Sequence, residues 1–200
     1  PHSISIWIPM LRAALLFTLL AFSALAGPKV NWSGPYQPCL NSGEFLKSGH
    51  MDLGVRFDTS SPIAADALRR ALKFWSTVID MDFHEDSSRT CSLALVDATP
   101  EILSENNDVA RAQFTDWTNF QGWIAFDPHM SEYMSADEIY ATAVHELGHM
   151  FGLLHNSHPS SVMFYIDADG SSVLDDADID AVATRHALRA DVRRAPIPVL

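Results

Sequence analysis

The sequence predicts an α+β domain, one sheet with helices packed on it. Three observations carry that prediction: an alternating apolar run at Met51–Phe57, two helical patterns that each open on a serine cap, and short apolar runs between them. Their order along the chain is strand, helix, strands, helix, helix.

Met51-Asp52-Leu53-Gly54-Val55-Arg56-Phe57 alternates apolar and polar side chains, the period of a half-buried strand. Ser61-Pro62 supplies an N-cap and a proline at the first helical position. Behind it Ile63, Ala67, Ala71, Trp75 and Val78 fall on one helical face, with Leu68, Leu72 and Ile79 beside them. Met81–Glu85 and Leu93–Val96 are short strands, and residues 99–121 read as polar and irregular. Trp123–Phe126 is a further strand, stopped by Asp127-Pro128. Ser135-Ala136-Asp137-Glu138 is a capping box that starts a second helix. It runs through Ala141, Ala143 and Val144 to Phe151 and stops at Gly152, a natural residue to follow a helix. A third helix starts near Asp175–Asp178, where acidic residues meet its positive end, and buries Ile179, Val182, Ala183 and His186. The tail 187–200 reads as flexible.

Two hundred residues with 48% apolar content suffice for one domain with a real core. A net charge of −12 argues against nucleic acid or an anionic membrane surface as partner, since both repel it. Residues 1–26 read as an export signal. Met10-Leu11-Arg12 is a short basic start, Ala13–Ser23 an apolar run, and Ala24-Leu25-Ala26 a small-x-small cleavage site before Gly27. Met10 is an alternative true start. The competing reading, an uncleaved anchor lengthened by Ile4, Ile6, Trp7 and Ile8, is weakened by Arg12, which interrupts the run. The expectation is therefore a secreted protein, extracellular or periplasmic, with its folded domain at 27–186 and no stable membrane association after cleavage. Cys39 and Cys91 fit one disulfide in such a protein. Two free thiols, and Cys39 as a metal-capping latency device, are the alternatives.

The strongest chemical signal is His145-Glu146-Leu147-Gly148-His149-Met150-Phe151-Gly152-Leu153-Leu154-His155. Histidines four apart on a helix project from one face, one turn apart, and can grip one metal ion. Glu146 follows the first ligand and can reach a metal-bound water without binding the metal itself. Gly152 permits positive φ, so the chain can turn back and bring His155 in as a third ligand. Three nitrogens leave a fourth position open for water, the mark of a catalytic zinc site. A monomeric zinc endopeptidase acting on protein or peptide substrates is the expected function, with Glu146 as general base. The alternative is a non-catalytic zinc-containing binding module; a dead scaffold should lose the base, and Glu146 is present.

This extended motif resembles that of the metzincin clan of zinc endopeptidases. Ser161-Val162-Met163-Phe164-Tyr165 resembles the clan's methionine turn, and Leu174–Val182 is similar to the start of the last helix in matrixins. The resemblance implies a metzincin-like α+β fold: a twisted, mainly parallel sheet with a long backing helix, an active-site helix and a C-terminal helix. It implies that Met163 lies beneath the three histidines as a hydrophobic floor. It also implies that substrate extends along an edge strand, taken here as Trp123–Phe126. Two positions depart from the matrixin pattern: Asn156 stands where a serine is usual, and Tyr165 where a proline is usual. A tyrosine there is similar to astacins and serralysins, so Tyr165 is either a switchable metal ligand and oxyanion donor or part of the pocket wall. Matrixins often carry calcium, and Asp167, Asp169, Asp175, Asp176, Asp178 and Asp180 are the acidic residues that could hold Ca2+, although they match no full calcium loop. His84, His129 and His158 could hold a second, structural zinc, but scattered histidines are more often surface residues, and His158, three beyond the third ligand, reads better as lining the cleft.

Overall fold

The computed structural model describes residues 50–86, 91–103, 108–116, 120–164, 172–192 and 196–200. The expected signal 1–26, Cys39, Tyr165, Asp167 and Asp169 lie outside the described residues. The fold is α+β: β1 (Met51–Asp58), α1 (Pro62–Val78), β2 (Met81–His84), β3 (Cys91–Asp97), β4 (Ala110–Asp116), β5 (Gln121–Phe126), α2 (Ala136–Met150), β6 (Val173–Leu174), α3 (Asp176–Ala183) and β7 (Ile197–Pro198).

The first five strands form one sheet in the order β2-β1-β3-β5-β4. β1 pairs in parallel with β2 and β3, and β3 with β5. β4 alone runs antiparallel, along β5, with an irregularity between Phe114 and Asp116. Leu53 and Val55 of β1 and Cys91, Leu93 and Leu95 of β3 are buried in alternation, the pattern of strands covered on one face by helices.

The edge of the sheet differs from the expectation. Trp123–Phe126 belongs to β5, which lies between β3 and β4, so it is an interior strand and cannot offer a free edge. The edge is β4, in a stretch that reads as irregular in sequence. Its buried residues are Ala110, Ala112 and Phe114, alternating with Arg111, Gln113 and Thr115. Two of the three inward side chains are alanines, which have low strand propensity, so the period-2 signal is faint.

Both long helices start where their caps predict. Ser61 Oγ accepts from Ala64 N–H, with Pro62 in the first turn of α1. Ser135 and Glu138 form the reciprocal capping box of α2. α1 buries Ala64, Ala67, Leu68, Ala71, Leu72, Trp75 and Val78. The indole of Trp75, fully buried, donates from Nε1 to Val144 O at 3.0 Å and so fixes the long helix to α2 beside His145. Its ring also meets Phe151 edge-on, with centroids 5.2 Å apart.

α3 is shorter than its pattern suggests; Ile179, Val182 and His186 are buried as expected, whereas Ala183 is exposed and Asp178 is buried with the stripe. The Asp178 carboxylate points inward, where it finds hydrogen-bond donors. The segment beyond Ala187, expected to fray, is held by several contacts. Asp80 N–H donates to Ala187 O, Arg189 N–H to Val78 O, and the Arg189 guanidinium to Ser76 O and Met81 O. Ile197–Pro198 then pairs with β6, and Val199 is buried.

His186 lies just past α3, is buried, and donates from Nε2 to Phe151 O at 3.2 Å. Burial pushes its pKa down from the ordinary 6.5 to about 3. Between those values the unfolded chain binds a proton that the fold excludes, so stability falls as pH falls through that window. In metal-free protein, urea unfolding at pH 7 and pH 5 should show a larger acid loss in the parent than in His186→Gln, by about 2 kcal/mol. Equal losses would show that His186 is not held neutral.

Candidate metal centre

α2 carries His145 and His149 on one face, and the chain leaves the helix through Phe151 and Gly152. Gly152 has φ 89°, a conformation that L side chains rarely adopt, and Leu153 N–H returns to Gly148 O at 2.9 Å. That reversal delivers His155 to the other two ligands.

The three Nε2 atoms converge: 3.0 Å between His145 and His149, 3.2 Å between His149 and His155, and 3.3 Å between His155 and His145. Nitrogens about 2.0–2.1 Å from a tetrahedral zinc stand about 3.3–3.4 Å from one another, so the triangle fits three corners of such a site. Among the described residues this is the one group of three ligating side chains so placed. Two rings have their other nitrogen fixed by a carbonyl: His145 Nδ1–H donates to Val162 O at 2.6 Å, and His149 Nδ1–H to Leu153 O at 2.9 Å. Each bond leaves a lone pair on Nε2 facing the centre. Burial lowers the pKa of all three rings, His145 to about 4 and His149 well below its ordinary value. Neutral imidazole is the ligating form.

Glu146 is 4% exposed and sits between α2 and the edge strand. Burial pushes its carboxyl up to about 8, opposed by a hydrogen bond from the Ala112 backbone of β4. Its Oε2 is buried without a hydrogen-bond partner among the described residues. A carboxylate so desolvated wants a cation or a proton donor nearby, which accords with a metal at the adjacent triad.

Met163 is fully buried in the turn Ser161–Phe164, closed by Phe164 N–H to Ser161 O at 3.0 Å. Its sulfur abuts Gly148, in the helical turn between the first two ligands, so closely that a β-carbon on Gly148 would overlap Sδ. Sequence alone gives no reason for glycine inside that helix. The methionine supplies one.

The sequence model of the family described as Matrixin matches residues 55–187. The chain belongs to the matrixin family. Human matrix metalloproteinase-17 is 29% identical to this matrixin in an alignment 126 positions long that covers 54% of this chain and 20% of the relative. The chain thus spans about a fifth of the length of that relative. Archaemetzincin from Methanopyrus kandleri aligns over 70% of this chain and 89% of its own, with 14% identity and a TM-score of 0.35, a loose likeness.

The three remaining candidate histidines do not come together. His84 pairs with Asp52 at 3.1 Å, His129 with Glu132 at 3.1 Å and His158 with Asp175 at 2.7 Å, three separate places in the matrixin. These positions accord with surface histidines and not with a shared second zinc: each imidazole stands beside its own carboxylate. Of the acidic run, Asp175 caps α3 and accepts from His158 and Asn156. Asp178 accepts from Ser161 Oγ at 2.6 Å and Asn156 Nδ2 at 2.9 Å. Those oxygens are used within the protein. Cys91 is buried at the head of β3 and is not a free thiol.

Gly148→Ala sets a helix-propensity gain of about 1 kcal/mol against an overpacking cost of about 1–3 kcal/mol. The cost is expected to win because the clashing Met163 is fully buried and Trp75 stands 3.4 Å from the same point. The variant should unfold at lower urea than the parent and bind zinc more weakly in competition with a chelating dye. A stabilised variant with unchanged zinc affinity would show that the contact is not tight.

Proposed function

We propose that this matrixin is a secreted zinc-dependent endopeptidase that hydrolyses internal peptide bonds, with Glu146 as general base. The observation that supports it is the convergence of three imidazoles at 3.0–3.3 Å beside a buried carboxyl whose Oε2 has no hydrogen-bond partner among the described residues. His145, His149 and His155 would hold the zinc. Held there, the metal would supply Lewis acidity toward a water and the scissile carbonyl. Glu146 takes the proton of the attacking water on Oε2 and passes it to the leaving amine. Its other support, the Ala112 N–H, keeps the carboxyl aimed from the sheet side.

Substrate would add as a strand along β4, the sheet edge beside α2, by backbone hydrogen bonds. An extended peptide there passes in front of Glu146, which orients its carbonyl for attack. Met163 would serve as the floor under the ligands. Tyr165 follows Phe164 and either donates to the developing oxyanion or lines the pocket wall. Export through residues 1–26 and a Cys39–Cys91 disulfide complete the reading; such a bridge contributes about 2–4 kcal/mol. Among the described residues no helix is long and apolar enough to cross a membrane.

The test is cleavage of a quenched-fluorescent peptide library by the full chain, with a chelator and with zinc restored. Internal cleavage should stop with chelator and return with zinc. Glu146→Gln should keep one zinc per chain and lose at least about 10²-fold in kcat. Retained turnover in that variant would overturn the mechanism, and bound zinc without cleavage by the parent would favour a non-catalytic binding module.

A further inference from the structure

We propose that Asn156 is a positioning residue for the third metal ligand, holding His155 through a clamp that joins the ligand loop, the methionine turn and α3. The inference rests on the zinc reading of the triad.

The three ligands are not held alike. His145 and His149 each have a carbonyl on Nδ1, whereas His155 Nδ1 is buried with no hydrogen-bond partner among the described residues. Among the described residues no hydrogen bond to Nδ1 orients the His155 ring, so its place there depends on the backbone to either side. Before it stands the Gly152 reversal, where Leu153 is tied to Gly148 and His149. Leu154, between them, is 52% exposed and gives little purchase. After it stands Asn156.

Asn156 uses both its backbone and its side chain. Its N–H donates to Met163 O at 2.7 Å, and the residue forms a parallel bridge with Phe164. Its Nδ2 straddles two carboxylates, donating to Asp175 Oδ2 at 3.0 Å and Asp178 Oδ1 at 2.9 Å. Its Oδ1 accepts from His158 N–H at 2.9 Å, which turns the chain immediately beyond. The clamp extends into the methionine turn, because Asp178 also accepts from Ser161 Oγ, and Ser161 Oγ accepts from Met163 N–H at 2.9 Å. Val162, between them, carries the carbonyl that fixes His145. One amide therefore ties the third ligand to the same turn that orients the first.

Chemistry explains why an amide stands here. Two carboxylates, Asp175 and Asp178, face one point, and Asp178 is only 3% exposed. A group that donates two hydrogens on one side and accepts a backbone N–H on the other meets every requirement at once. A hydroxyl has one hydrogen and would leave one carboxylate unserved.

The test measures zinc affinity by competition with a chelating dye, the visible spectrum of the Co2+-loaded protein, and urea unfolding of the metal-free protein. Asn156→Ala should weaken zinc about tenfold or more and alter the cobalt spectrum. Should that variant fail to fold, Asp175→Asn keeps the helix cap in an isosteric side chain and removes the oxygen that receives Asn156; it should weaken zinc at least about threefold. His158→Ala, which removes only the exposed contact to Asp175, should leave zinc affinity within about twofold. Folded Asn156→Ala or Asp175→Asn that lowers urea resistance yet binds zinc and gives the cobalt spectrum of the parent would overturn the proposal. If the parent itself takes up no zinc, the reading of the triad fails instead.

Discussion

Three imidazole nitrogens held at 3.0–3.3 Å are the constraint on which the rest of this molecule turns. Lone pairs that close repel one another, and each ring has left water to reach its place. The arrangement persists only if surrounding groups fix the tautomers and the backbone of every ligand. Helical spacing places two rings, and a left-handed glycine returns the third. The carbonyls of Leu153 and Val162 orient the first two rings.

Those supports come from elements far apart in sequence, which is why the domain needs its particular packing. Val162 and Met163 belong to a turn that α3 holds through Asp178 and Ser161. α3 is succeeded by His186, bonded to the last carbonyl of the α2 cap, and α2 is bonded to Trp75 of α1. Gly148 lets the methionine turn approach α2 more closely than any other residue would permit. Stability and site geometry are thus the same set of contacts, and changes in either should appear in both.

The sheet contributes differently. It brings β4 beside the helix that carries the triad, so that a backbone N–H from Ala112 reaches Glu146. The antiparallel turn of this one strand supplies an edge next to the metal ligands.

Local rules decided a good deal of this protein in advance. Caps at Ser61 and Ser135, the stop at Gly152 and the spacing of His145, His149 and His155 depend on residues within one or two helical turns, and the structure follows them. The edge strand, the inward turn of Asp178 and the separate pairing of His84, His129 and His158 were not legible. Small inward alanines hide the strand period of β4, and the direction of an Asp or His side chain depends on which partner the fold brings within 3 Å or so. Asn156 shows the division most clearly. Its neighbourhood to His155 is written in the chain, but the two carboxylates and the carbonyl that give it work arrive from residues 163, 175 and 178. The sequence by itself determined the histidine triad and the helix that bears two of its members, because those are short-range. Tertiary structure alone decided how the ligands are held and where the sheet ends, because hydrogen bonds between distant segments exist only once the core has packed.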